Sequence, residues 1–288
     1  MKPQSIIFLI DCPDQKGLVS RISGFFYERR FNILHCQQYT DVNTSHYFMR
    51  LKVDLSDLAT SRKQLEQDFT EFAKPLNIRW CAHYSDTIQR VAILVTKASH
   101  CLYDLLLRRQ EGELQCEIPV IISNHPDLGP VAEKFQIPYH HLPVAKETKP
   151  WQERQIRQLL IQYRIDLVVL ARYMQVLSEE FVNDYAGKSI NIHHAFLPAF
   201  QGSNPYQQAY DRGVKMIGAT AHYATVDLDE GPIIEQDVER VTHEDSAEEL
   251  IRIGKDIERI VLARAVKAHL EHRTIVDGPR VIVFSTGM

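Results

Sequence analysis

The sequence predicts an α/β protein in two parts: a ferredoxin-like βαββαβ domain over residues 1–85, followed by a doubly wound, Rossmann-like domain over residues 90–288. Three observations carry this reading. Between residues 6 and 84, apolar runs and amphipathic stretches follow the order strand, helix, strand, strand, helix, strand. After a polar link at 85–89, strand and helix patterns alternate, and some strands are continuous apolar runs, as suits a parallel sheet covered on both faces. The length, 288 residues, matches two ordinary domains.

The elements follow in order. Residues 6–10 (IIFLI) read as a buried strand, and the DCPDQKG stretch at 11–17 as a turn-rich loop. Leu18, Ile22, Phe25 and Phe26 recur at helical spacing, which predicts an amphipathic helix over 18–29. Residues 32–39 and 46–54 read as two strands around a polar turn at 41–44. Leu65, Phe69 and Phe72 share one face of a helix over 61–73, with Pro75 just beyond its end, and 78–84 is the closing strand. In the second part the spacing predicts strands at 90–96, 117–122, 139–142, 166–171 and 190–193, with helices over 99–110, 129–135 and 151–163. Longer strands at 217–226 and 233–241 read as an antiparallel pair. A long helix over 246–272 precedes a terminal hairpin over 276–284, turning at Asp277-Gly278-Pro279.

Composition narrows the function. The net charge is −4, so no basic surplus points to nucleic acid, and neither nucleic acid nor a membrane is expected as a partner. No apolar run approaches the about 18–20 residues that span a bilayer, no leader-like segment opens the chain, and a cytoplasmic location is expected. Cys12, Cys36, Cys81, Cys101 and Cys116 are dispersed, odd in number and without C-x-x-C spacing, which reads as free thiols. His140-His141 and His269-x-x-His272 lack a supporting Cys cluster or an H-E-x-x-H arrangement, so no metal is expected.

Chemistry concentrates in the stretch SINIHHAFLPAFQGSN at 189–204. Side chains alternate along a strand, so Asn191 and His193 share a face while Ile192 packs on the other. Ligands of open α/β sheets bind beyond the carboxyl ends of strands. An amide suits a developing oxyanion and an imidazole exchanges protons near neutrality. A second polar cluster, GATAHYATVDLDEGP at 218–232, holds His222, Asp227, Asp229 and Glu230. The three acids are all candidates for the carboxylate that would charge and orient His193. His194 reads as a supporting or packing residue.

These pieces carry a resemblance. N-I-H at 191–193, L-P-A-F-x-G at 197–202 and H-Y-x₄-L-D-E-G-P at 222–232 resemble the formyltransferase fold that uses 10-formyltetrahydrofolate. The runs at 204–223 and 228–238 are similar to its hydrolytic members, the deformylases, whose N-terminal ACT domain has the βαββαβ order read above. The resemblance implies Asn191, His193 and Asp229 as the catalytic residues and His222 as their support. It also implies that the folate's pterin sits against Leu170, Met174, Val176, Leu177, Thr225, Val226 and Asp227, with Arg172 reaching the glutamyl carboxylate where Gln175 replaces a basic residue. It implies an amino-acid effector near Asp14, Gln15, Lys16, Gly17 and Leu18, with Asn32, in a homo-oligomer; oligomerisation without a ligand is the alternative for this domain. No cofactor is expected, 10-formyltetrahydrofolate being the substrate.

The resemblance also separates hydrolysis from transfer. Transformylases that act on a ribonucleotide amine carry a Gly-rich loop after the first catalytic strand, whereas residues 96–101 here read TKASHC. Without that phosphate seat, water is the expected nucleophile and formate the expected product. Transfer to an amine, or a non-enzymatic amino-acid-binding regulator, are the rival readings.

Overall fold

The computed structural model describes residues 4–56, 61–198 and 205–286. The chain divides into two compact units. One holds residues up to 87 with 272–275 and those from 282 on; the other holds 88–271 with 276–281. The linear reading assigned all of 90–288 to the second domain. In the structure the segments that follow the last long helix are shared between the two units, because they contact residues far away in sequence.

The first unit contains β1 (Ser5–Pro13), α1 (Leu18–Glu28), β2 (Ile33–Asp41), β3 (His46–Asp54), α2 (Arg62–Ala73) and β4 (Arg79–Tyr84). Its antiparallel sheet has the order β2-β3-β1-β4, the split arrangement expected of the βαββαβ pattern. The core forms where the apolar stripes of both helices meet one face of this sheet. The Phe8 ring lies 5.2 Å from Phe26 and 4.7 Å from Phe69, and all three side chains are fully buried. Ser61 caps α2 by accepting the Gln64 N–H at 3.1 Å. Strand β1 runs three residues further than the expected 6–10, through Asp11, Cys12 and Pro13. The long partner β3 supplies register positions for all three, opposite Phe48, Tyr47 and His46, and so overrides their turn propensity.

The second unit contains β5 (Gln89–Val95), α3 (His100–Gln110), β6 (Cys116–Ser123), α4 (Gly129–Lys134), β7 (Tyr139–His141), α5 (Lys149–Gln162), β8 (Leu167–Leu170), α6 (Glu179–Asp184), β9 (Ser189–His193), α7 (Pro205–Asp211), β10 (Met216–Tyr223), β11 (Ile233–Arg240) and α8 (Ala247–Leu270), while β12 (Thr274–Asp277) and β13 (Arg280–Val283) are divided between the two units. The nine-stranded sheet has the order β12-β13-β11-β10-β9-β8-β5-β6-β7. Strands β7, β6, β5, β8 and β9 run parallel, while β10 is antiparallel to both β9 and β11. The chain winds outward from β5 to β7 and returns on the other side at β8. This reversal of strand order is where open α/β sheets place ligands, beyond the carboxyl ends of their strands. Apolar clusters cover both faces of the sheet, as the continuous runs of β5 and β8 require.

Helix α8 opens with a capping box, Ser246 and Glu249 satisfying each other's backbone N–H groups. Helices α6 and α7 are additional to the sequence expectation. Each is too short to display a period, although Ser178, whose side chain caps α6, is a legible start signal. Among the described residues, no helix is long and apolar enough to cross a membrane.

Candidate active site

Strand β9 places Asn191 and His193 on one face, while Ile190 and Ile192 are buried on the other. Antiparallel pairing sets His222 of β10 directly opposite Asn191. The consequence is a side-chain contact, Asn191 Nδ2 to His222 Nε2 at 3.2 Å. His222 Nδ1 lies 3.0 Å from the Tyr223 carbonyl and donates to it. In a neutral ring with that tautomer Nε2 is an acceptor and engages one Asn191 N–H, leaving the other directed elsewhere.

The loop between β10 and β11 supplies the carboxylate. Asp229 Oδ2 lies 3.2 Å from His193 Nδ1, and Oδ1 lies 3.7 Å from His222 Nε2. Of the three acids near this turn, only Asp229 is positioned against His193. Its backbone is left-handed, with φ of 59°, a conformation that Asp tolerates better than most residues. Burial alone would raise its pKa. Hydrogen bonds from His193 and then His222, with the charges of both rings, outweigh burial and hold the carboxyl far below the usual range. Gly231 makes the loop possible: a Cβ there would lie 1.7 Å from the Tyr223 carbonyl oxygen and 2.9 Å from His222 Nδ1.

His193 is buried, with Nδ1 turned to Asp229, and its Nε2 is buried without a hydrogen-bond partner. Asn191, His193, His222 and Asp229 all line one cavity of about 330 Å³. Its walls include Leu170, Met174, Val176, Leu177, Thr225 and Val226, the residues expected to receive the pterin. Leu170 is buried in the wall, while Met174 and Val176 are more than half exposed and stand at the mouth. The Thr96 hydroxyl accepts the Met174 N–H at 3.0 Å and donates to Asn124 Oδ1 at 2.9 Å, which fixes that wall. Asp227 does not line the cavity. Its carbonyl accepts the Thr225 hydroxyl and the Glu230 N–H, so it shapes the turn instead.

Sequence reasoning missed the polar cluster beside this site. Glu258, in the middle of α8, is 1% exposed. Its carboxylate takes His100 Nε2 at 2.8 Å and the Tyr206 hydroxyl at 2.7 Å, with Arg172 Nε at 3.4 Å. Burial alone would raise its pKa; the His100 hydrogen bond, the Arg172 charge and the Tyr206 hydroxyl outweigh it and hold the carboxyl below its ordinary value. The signal was present: Glu258 occupies a position of the apolar stripe formed by Gly254, Ile257, Val261 and Leu262. Arg172, expected at the glutamyl end of the folate, instead turns inward to this acid. His194 is buried next to His193, with ring centroids 5.2 Å apart. Burial, and then the Arg172 charge, push its pKa down to about 4.

The His-rich motifs have other partners. His140 contacts the Tyr163 hydroxyl at 3.2 Å, and His269 the Tyr223 hydroxyl at 2.8 Å. Gly202, Ser203 and Asn204 lie outside the described residues, as do residues 199–201 of the L-P-A-F-x-G motif.

In the first unit, an open concavity is lined by Asp14, Gln15, Gly17 and Leu18 together with Gln38, Tyr39 and Tyr47. Gly17, with φ of 87°, opens α1 in a conformation suited to glycine. Lys16 and Asn32 do not line it: Lys16 is exposed, and the Asn32 carbonyl accepts the Asp54 N–H.

Comparison with known proteins adds an independent line. Residues 89–266 match the Formyl transferase family, and residues 6–70 match the ACT domain family. The chain is 50% identical over 285 residues to a formyltetrahydrofolate deformylase from Synechocystis, covering 99% of this chain and 100% of the relative. It is 48% identical over 278 residues to one from Bacillus subtilis, covering 96% of this chain and 93% of the relative. The crystal structure of a formyltetrahydrofolate deformylase from Pseudomonas syringae pv. tomato superposes with a TM-score of 0.96 at 41% identity, over 99% of this chain and 96% of that one.

Proposed function

Because the chain belongs to the formyltetrahydrofolate deformylase family, we propose that its Asn191, His193 and Asp229 hydrolyse 10-formyltetrahydrofolate to formate and tetrahydrofolate. One observation carries the assignment of roles: the buried Nε2 of His193, without a protein partner, beside the amide of Asn191 in one cavity. A buried ring nitrogen left without a partner is costly unless a substrate satisfies it.

The formyl group enters with its carbonyl oxygen toward Asn191. The apolar walls formed by Leu170, Leu177 and Val226 take the flat heterocycle. Water attacks the formyl carbon, and the carbonyl electrons move onto oxygen. The Asn191 N–H not held by His222 donates to that oxyanion, joined by His193 when its ring is protonated. Asp229 orients His193 through Nδ1, stabilises the imidazolium, and helps to take the water's proton. The C–N10 bond breaks as N10 receives a proton, leaving formate and tetrahydrofolate. No step needs a metal or an added cofactor. Formate released for purine synthesis and free tetrahydrofolate returned to one-carbon metabolism are the expected metabolic outputs.

The test is purified protein with 10-formyltetrahydrofolate, without an amine acceptor and with a chelator present. Stoichiometric formate and tetrahydrofolate are expected; no formate release would overturn the proposal.

For the ACT unit, the concavity at Asp14, Gln15, Gly17 and Leu18 supports an amino-acid effector site. The two edges of its sheet, β2 and β4, support assembly into a homo-oligomer. Light scattering of the purified protein tests the second point.

A further inference from the structure

The mechanism above leaves one charged side chain of the cavity without a task. Arg172 lines the same cavity as Asn191 and His193. It follows β8 in a left-handed conformation, φ 62°, with its N–H turned back to the Leu170 carbonyl at 3.1 Å. Arg has no short side chain to stabilise such a backbone locally, so the surrounding structure must hold it there. Its side chain turns to Glu258, whose buried carboxylate lies 3.4 Å from Arg172 Nε and is itself anchored by His100 and Tyr206. Arg172 Nε and Nη1 are buried and lack hydrogen-bond partners.

The position of this group in the cavity gives it a meaning. One wall is apolar and suits the heterocycle. Asn191 and His193 define where the carbonyl oxygen sits. The polar lining also includes Arg172 and His194, the latter adjacent in sequence to His193 and close enough to the guanidinium to feel its charge. A nucleophile that approaches the formyl carbon from that polar side meets Arg172. At about 330 Å³ the cavity is at the small end for ligand sites.

We propose that Arg172, braced by Glu258, is a specificity-determining residue: it fills the nucleophile side of the cavity and reserves attack on the formyl carbon for water. The proposal rests on the hydrolytic reading above. With Arg172 shortened, a small primary amine gains that space. Its nitrogen then bonds to the formyl carbon and loses a proton, the C–N10 bond breaks, and N10 takes a proton. The products are an N-formyl amine and tetrahydrofolate, with no formate.

The experiment is a partition measurement on the full chain. Wild type, Arg172→Gly, Arg172→Ala and the double variant Arg172→Gly/Glu258→Gln are supplied with 10-formyltetrahydrofolate and excess glycinamide. Formate and N-formylglycinamide are quantified together by mass spectrometry. The double variant is included because removing Arg172 alone strands a buried carboxylate, which endangers folding. Wild type is expected to release formate almost exclusively. The shortened variants are expected to raise the ratio of formylated amine to formate at least tenfold. A structural defect that merely slows the enzyme lowers both products and leaves this ratio unchanged. An unchanged ratio in the folded variants would overturn the proposal. Failure of wild type to release formate would instead overturn the hydrolytic reading, so the two failures are distinguishable.

Discussion

Replacing Asp229 by Asn removes one charge and little else. Asn is nearly isosteric and tolerates the left-handed backbone at φ 59°. The amide still reaches His193 and His222, but it no longer favours a charged imidazole. The magnitude follows from the geometry. Two unit charges 3.2 Å apart in an effective dielectric of about 20 attract by about 5 kcal/mol. That figure is a ceiling, and converted at about 1.4 kcal/mol per decade it corresponds to between three and four orders of magnitude in rate. Loss of a positioned proton-handling group typically costs ~10²–10⁴-fold. The expectation is therefore a fall of roughly 10³-fold in kcat, with KM little changed, because Asp229 acts on the transition state through His193. The assay is formate release from 10-formyltetrahydrofolate without an acceptor, alongside circular dichroism and a melting curve to show that the variant is folded. A folded Asp229→Asn protein within tenfold of the wild-type kcat would refute the reasoning.

Other expectations can be checked with the same preparations. Asn191→Ala deletes one oxyanion donor and is expected to lower kcat by ~10²–10³-fold, measured as initial formate release. Gly231→Ala places a Cβ 1.7 Å from the Tyr223 carbonyl, so the Asp229 loop must shift; activity should fall by more than tenfold, and an active, unshifted variant would contradict the packing argument. Acid should weaken the fold through His194, whose pKa is about 4 when folded against about 6.5 when unfolded. The unfolded chain binds the proton first, so this contribution is present above pH 6.5 and is lost as the pH falls toward 4, amounting to about 2 kcal/mol between pH 7 and 5. A His194→Gln variant should show a correspondingly flatter dependence of melting temperature on pH. Finally, a panel of amino acids should include one that raises the melting temperature through the concavity at Asp14 and Leu18; no shift and no rate change across the panel would favour oligomerisation without a ligand.

Much of this molecule was legible before any coordinates. The spacing of Leu18, Ile22, Phe25 and Phe26 marked α1, and all four are buried. The alternation in N-I-H placed Asn191 and His193 on one face, and the strand pairing keeps them there. Periodicity succeeds in such places because burial of a face is a property of neighbouring residues in the chain. The helices α6 and α7 escaped because one or two turns carry too little period. The sharing of the terminal segments between the two units escaped for a different reason: it depends on contacts far away in sequence.

The sequence by itself determined which residue types meet at the catalytic strand end: an amide, an imidazole and a choice of three nearby acids. Residue pattern alone left Asp227, Asp229 and Glu230 open and the resemblance implied Asp229; the tertiary structure sets Asp229 against His193 through a turn whose backbone passes within van der Waals reach of Tyr223 and admits no side chain at Gly231. It also decided that Arg172 turns inward to Glu258, a pairing across 86 positions of chain that no local pattern encodes. Local patterns set which face of each element is apolar; the approach of distant elements sets which polar groups lose water together, and that shared loss of water makes a side chain reactive or selective.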